Sequence, residues 1–234
     1  KVKITLGLFY LLVVSSFLYF FLSKFTLEEL TSYEFIKDNR DYFFDLKQSN
    51  LFLLSMVFLI STIIWIFMGG FAFPFALSAG FIFGKWFGTF LLVIGMSVGA
   101  TFLYTFGNYF LRDFIKKKFL TKYKKLAIKF EKSEFNYLLA YRFIGGIPFV
   151  ISNLLPCIFN VKVTNFFFAT VIGIIPQIFL VVAIGSGLEK IIEQNLDTPK
   201  FTDLIYSSDI YLPLVGFFLL IIFTIILKKF IYKK

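Results

Sequence analysis

Residues 138–157 read LLAYRFIGGIPFVISNLLPC, an apolar stretch long enough to cross a bilayer but interrupted by Gly145, Gly146 and Pro148 and carrying one charge, Arg142. In lipid, a continuous helix satisfies every backbone N–H and C=O within itself. A break at membrane depth is therefore tolerated only where protein or water covers the freed groups. Residues 69–88, GGFAFPFALSAGFIFGKWFG, are a second such stretch, broken at Gly69, Gly70 and Pro74. Two broken segments, one in each half of the chain, point to a transport path rather than an anchor.

Composition agrees with a membrane setting. The chain has 234 residues, of which 59% are hydrophobic, and a mean hydropathy of +0.84, too apolar for a soluble domain of this size. Its 37 phenylalanines fit either a lipid-facing or ligand-stacking surface or, more plainly, the coding bias of an AT-rich genome. The net charge of +10 lies almost wholly outside the apolar runs, as anionic leaflets and the positive-inside rule select, and it implies no nucleic-acid partner. With no histidine and a single cysteine, Cys157, an intrachain disulfide and a His or Cys-cluster metal site are excluded. Histidine acid–base machinery is excluded too, so most enzyme classes fall away and neither cofactor nor metal is expected.

Along the chain, residues 4–22 form a first apolar run whose length and lack of a small-residue cleavage site read as a retained span rather than a signal peptide. Residues 23–50 mix Leu27, Leu30, Phe35 and Ile36 with acidic residues at helical spacing, the pattern of an amphipathic surface helix. A second span, 51–68, leads into the first broken segment, where Gly80, Gly84 and Gly88 recur every fourth residue on one helix face. That ladder suits close helix packing or a direct ligand role. A third span starts near Trp86. From Arg112 the chain turns basic, with Lys116, Lys117, Lys118, Lys122, Lys124, Lys125 and Lys129 set among apolar residues three and four apart. This predicts an interfacial helix that anchors topology or recruits phospholipid headgroups, each lysine contributing on the order of 1 kcal/mol near an anionic surface. A span over 165–186 containing Pro176, a polar loop over 188–209 and a last span over 210–227 complete the chain, which closes with four lysines. The expected fold is an all-α integral membrane protein. It has about five transmembrane helices, two re-entrant Gly/Pro-broken hairpins (69–88 and 138–157) and an amphipathic basic helix. Its parts are an N-terminal region (1–50), a core (51–187) and a C-terminal region (188–234). The basic helix and the C-terminus are expected on the cytoplasmic side.

Arg142 is the one cation within an apolar run, and no Asp or Glu lies in such a run to pair with it. Its partner is then an open helix C-terminus, a phosphate matched to the guanidinium fork, or, if it snorkels, interfacial water. Together with Phe143, Pro148, Phe149, Asn153, Val161, residues 166–170, Gly173 and Pro176, it resembles the second signature of the DedA superfamily. These are also described as VTT-domain or SNARE-associated Golgi proteins. Phe73, Pro74, Ala79, Gly80, Phe83, Gly84 and Gly88 resemble the first signature. The resemblance implies two re-entrant hairpins facing each other across a bacterial inner or eukaryotic secretory membrane, and a link to lipid scrambling or to moving a polyprenyl phosphate carrier. Proton-dependent members carry acidic residues near the first hairpin; this chain has none there, has Gly145 where Pro is frequent and Asn108 where Arg is frequent, and looks closer to the SNARE-associated branch.

The expected activity is non-covalent movement of lipid or a lipid-linked phosphate between leaflets, with anionic or phosphate-bearing lipid as the partner. Arg142 would attract the phosphate, Asn153 would hydrogen-bond it, Pro74 and Pro148 would leave backbone groups unpaired at the site, and Gly145 and Gly146 would allow the turn. Gly80 and Gly84 complete the expected substrate-binding set. An ion-coupled small-solute carrier and a membrane scaffold or assembly factor are the alternatives; the first lacks an intramembrane carboxylate.

Overall fold

The computed structural model describes residues 12, 15, 16, 19, 23, 33–110, 112, 133–144, 148–194, 208, 211–216, 218, 219, 222, 223 and 226. The lysines of the basic segment, Gly145, Gly146, the C-terminal lysines and most of the first and last apolar runs lie outside them. Among the described residues the protein is all-helical. Its elements are α1 (Tyr33–Phe67), α2 (Ala72–Phe83), α3 (Lys85–Phe110), α4 (Glu134–Ile144), α5 (Phe149–Leu154), a 3-10 turn (Leu155–Ile158) and α6 (Val163–Gln194). Three stretches are long and apolar enough to span a membrane: Phe44–Phe67, Lys85–Phe110 and Val163–Lys190. The chain divides into two compact units, 1–54 and 55–234.

In the first unit α1 is bent at Asn50, which leaves helical geometry at φ −156°, ψ 75°. Its side-chain oxygen accepts the Leu53 N–H at 3.0 Å, so Asn50 caps a fresh helical start. The polar segment and the apolar run thus meet at the residue where composition changes.

The second unit holds two hairpins. After α1, residues 68–71 turn sharply, with Gly69 at φ 87°. The turn satisfies itself: Gly69 N–H donates to Ile66 O (3.0 Å), Gly70 N–H to Trp65 O (2.8 Å), and the Trp65 indole N–H to Phe71 O (2.8 Å). These bonds cover the turn itself, while the N–H groups that open α2 have no side-chain cap. The α2 helix then runs back along α1, with Phe75 beside Trp65 (5.8 Å) and Phe83 beside Phe58 (5.2 Å). Gly84, at φ 77° and ψ 172°, reverses the chain again into α3, and Gly88 rests on the Ala79 carbonyl. Because Gly95 lies against Leu59 and Thr62, and Gly99 against Ile63 and Ile66, α3 runs parallel to α1. The chain therefore enters as α1 and leaves as α2 by the same side.

This revises the expected first hairpin. Residues 51–68 were expected to span before a hairpin at 69–88; they do lie in a stretch long and apolar enough to span, Phe44–Phe67, but α2 packs back along them, so Gly69 and Gly70 form the apex of a hairpin made by α1 and α2. Gly80, Gly84 and Gly88 do not share a helix face, because Gly84 ends α2. Pro74 breaks nothing: it is the third residue of α2, where its missing N–H would have had no intrahelical partner.

The second hairpin is α4 and α5. Glu134, opening α4, accepts hydrogen bonds from the Lys162 N–H (3.1 Å) and Asn165 Nδ2 (2.8 Å) at the start of α6. Further along, Gly173 lies against Arg142, and Gln177 Nε2 donates to the Arg142 and Phe143 carbonyls, both at 3.1 Å. So α4 runs parallel to the first half of α6. Pro148 caps α5, which returns the chain. Against α6, α3 is antiparallel, with Tyr104 stacked on Phe166 (4.3 Å) at one end and Trp86 on Phe179 (5.0 Å) toward the other. Since α2 opposes α3, it accompanies the second half of α6, where Gly80 meets the Val182 carbonyl and Gly185 the Leu77 carbonyl. The hairpins thus arrive from opposite ends, and a Cβ on Gly69 would lie 3.5 Å from Val150, so their apices touch. Close approach through small residues is how membrane helices gain packing without a hydrophobic drive between them.

Pro176 lies inside α6, which remains one helix, and it deprives the Ile172 carbonyl of its i+4 donor at the level of the apices. The expected loop at 188–209 begins later than the sequence suggested, because α6 continues to Gln194.

Candidate functional site

The site is built where α4, α5 and α6 meet. Arg142, on the last turn of α4, is only 4% exposed. Gly173 on α6 admits it, since a Cβ there would approach the Arg142 Cβ to 2.5 Å. The guanidinium donates from Nε to Thr170 Oγ1 (3.2 Å), from Nη1 to Ser152 Oγ (2.7 Å) and from Nη2 to Asn153 Oδ1 (2.7 Å). Its Cζ lies 4.9 Å from the Phe166 ring centre and 5.4 Å from that of Phe149. Behind Phe166, Tyr104 is fixed by its own hydroxyl, which donates to Val161 O at 2.6 Å.

Among the described residues every partner of this cation is uncharged. Both hydroxyls are themselves committed, Thr170 donating to Phe166 O (2.7 Å) and Ser152 to Phe149 O (2.8 Å). A buried cation held by neutral dipoles and ring faces keeps a large desolvation cost that a nearby anion would relieve. Glu134 does not serve, since it lies more than two turns away on α4 and is engaged with the start of α6. The α4 carbonyls that would have offered partial negative charge at the apex are capped by Gln177. Among the described residues no group of His, Cys, Asp and Glu forms a metal cluster.

Of the residues named from sequence, Arg142 and Asn153 are brought into direct contact. Pro148 caps α5 at one apex and Pro74 lies in the first turn of α2 at the other, both exposed. Gly80 packs on α6 near Val182, nine residues or roughly 14 Å along the helix from Gly173, and Gly84 lies farther still. Neither glycine joins Arg142. Arg112 is half-buried beyond the end of α3, and its Nε has no hydrogen-bond partner. Sequence reading did not single out Ser152 or Gln177, and it named Phe149, Phe166 and Thr170 only within the family resemblance, without a role at the site.

The VTT domain family matches residues 72–187, from the start of α2, just past the first apex, through the second hairpin and the contact zone of α6. The Bacillus subtilis protein YqeD, described as uncharacterized, is 32% identical over 162 residues, 67% of this chain and 70% of that one. The chain belongs to the VTT-domain family. A transmembrane protein 41 homolog of Caenorhabditis elegans is 25% identical over 174 residues (71% of this chain, 68% of the other). Another from Dictyostelium discoideum is 29% identical over 136 residues (55% and 41%). No solved structure matches the chain significantly. These relatives agree with the DedA and SNARE-associated resemblance read from the two signatures.

Proposed function

We propose that the protein moves phosphate-bearing lipid between the leaflets of a bacterial plasma membrane without a covalent step. One observation carries this reading: a buried guanidinium with only neutral partners, held where two oppositely inserted hairpins touch. A phosphate oxygen is the ligand that such a donor set favours. The uncapped first turn of α2 adds partial positive charge at the apex. In orientation, the end of the bundle bearing Arg112 and Lys162, between which the basic segment lies, faces the cytoplasm. The hairpin of α1 and α2 then opens to the outside.

The test is leaflet exchange of fluorescent phospholipid in liposomes holding the purified full chain. The wild type exchanges lipid many-fold faster than empty vesicles, and Arg142→Met returns the rate to background. Wild-type protein no faster than empty vesicles would end this reading.

A further inference from the structure

Asn153 carries an observation that packing does not absorb. The residue is 0% exposed, and its Nδ2 is buried with no hydrogen-bond partner. Its orientation is fixed by chemistry: arginine offers only donors, so the carboxamide oxygen must face Arg142 and the amide nitrogen must face away. Ser152 and Thr170, which also accept from Arg142, each pass a proton donor on to a backbone carbonyl. Asn153 alone of the three has donor capacity left over. A buried NH2 with nothing to donate to is a costly arrangement that native structures rarely keep without a purpose.

We infer that Asn153 is a ligand donor of the Arg142 site, oriented by Arg142, and that the pair forms a seat for one oxyanion bearing a single negative charge. This rests on the phosphate reading above and deepens it. Arg142 supplies one positive charge, and Asn153 supplies a hydrogen bond without changing that sum. Among the described residues, the other cations on or flanking α3 and α6, Lys85, Arg112, Lys162 and Lys190, lie toward the helix ends rather than at the apices. A singly charged phosphate ester is therefore neutralised in the seat, and a doubly charged one is left with an excess charge.

The substitution that separates this role from a structural one is Asn153→Asp. It keeps the oxygen that accepts from Arg142, and so preserves the contact, but replaces the donor with a second acceptor and fills the seat with its own charge. Two readouts are taken on the full chain. In detergent, short-chain phosphatidylglycerol at about a hundredfold its dissociation constant raises the wild-type melting temperature by roughly 5 °C or more, while Asn153→Asp, at least as stable as wild type without lipid because its carboxylate pairs with Arg142, shows no rise. Inorganic phosphate is run beside it: a similar rise identifies the seat as one for free anion, and a rise with lipid alone identifies a lipid seat. In liposomes, Asn153→Asp loses exchange of labelled phosphatidylglycerol. A wild type that is stabilised but moves no lipid would leave this seat standing while removing the transport reading. An Asn153→Asp protein that responds to lipid as wild type does, or a wild type that responds to neither probe, would overturn the inference.

Discussion

Arg142 makes three hydrogen bonds to three different side chains from two elements, a geometry that a planar fork can meet and a point charge cannot. Arg142→Lys is therefore expected to lose most exchange activity although charge is kept. Arg142→Met gives the opposite dissociation. Arg142→Met relieves an uncompensated buried charge but orphans the Asn153 oxygen, two effects of opposite sign, so the detergent melting temperature should move by only a few degrees while exchange is lost. A melting temperature that fell by ten degrees or more would mark Arg142 as chiefly structural. At this scale the sequence was partly legible. An arginine inside an apolar run is conspicuous, and Asn153 follows it closely. Ser152 was hidden because a hydroxyl residue in an apolar helix is unremarkable, and Thr170 because a contact made across 28 positions leaves no spacing rule. One signal was present: Thr170, Gly173 and Gln177 stand at i, i+3 and i+7, one small-and-polar stripe on an otherwise apolar helix.

Among the elements, α2 is defined by two glycines acting for different reasons. At Gly84 nothing lies within 4 Å of where a Cβ would stand, but φ 77° with ψ 172° is a region essentially confined to glycine. Gly84→Ala and Gly84→Asn should both destabilise by about 1–3 kcal/mol and by similar amounts, because asparagine eases only the left-handed helical region. At Gly80 the backbone is ordinary helix and the obstacle is the Val182 carbonyl. Gly80→Ala should cost about 1–3 kcal/mol by forcing α2 off α6. Thermal melting in detergent checks each, and a Gly84→Asn protein much more stable than Gly84→Ala would contradict the strain account. The elements were largely readable from sequence, including the start of α3 and the change at Asn50. The apex of the first hairpin was not. Breaks are visible in composition, but which arm returns to which depends on aromatic pairs such as Phe58 with Phe83, and lipid-immersed arms show no polar face to orient them.

For the whole molecule, redrawing that hairpin changes the count of crossings. Residues 55–83 enter and leave by one end of the bundle, so α1 and α2 together add no net crossing. Two positions test the orientation. A membrane-impermeant maleimide should label Lys85→Cys on intact cells and Lys162→Cys only after permeabilisation, against a background silent because Cys157 is buried. The reverse pattern would invert the molecule. Charge pattern gave an expected orientation, whereas parity was not legible, since it hangs on whether one apolar arm crosses or turns.

The meeting of the apices also bears on speed. Spanning 12 residues, α2 reaches roughly 18 Å, and α4, with 11, roughly 16 Å, so end to end they match the thickness of a bilayer. Under the proposed function, a charged headgroup following them would not traverse the full width of hydrocarbon, only the short seam between two protein tips. Each 1.4 kcal/mol removed from that electrostatic barrier is about a tenfold gain in crossing rate. Touching tips thus set the thickness of the insulator.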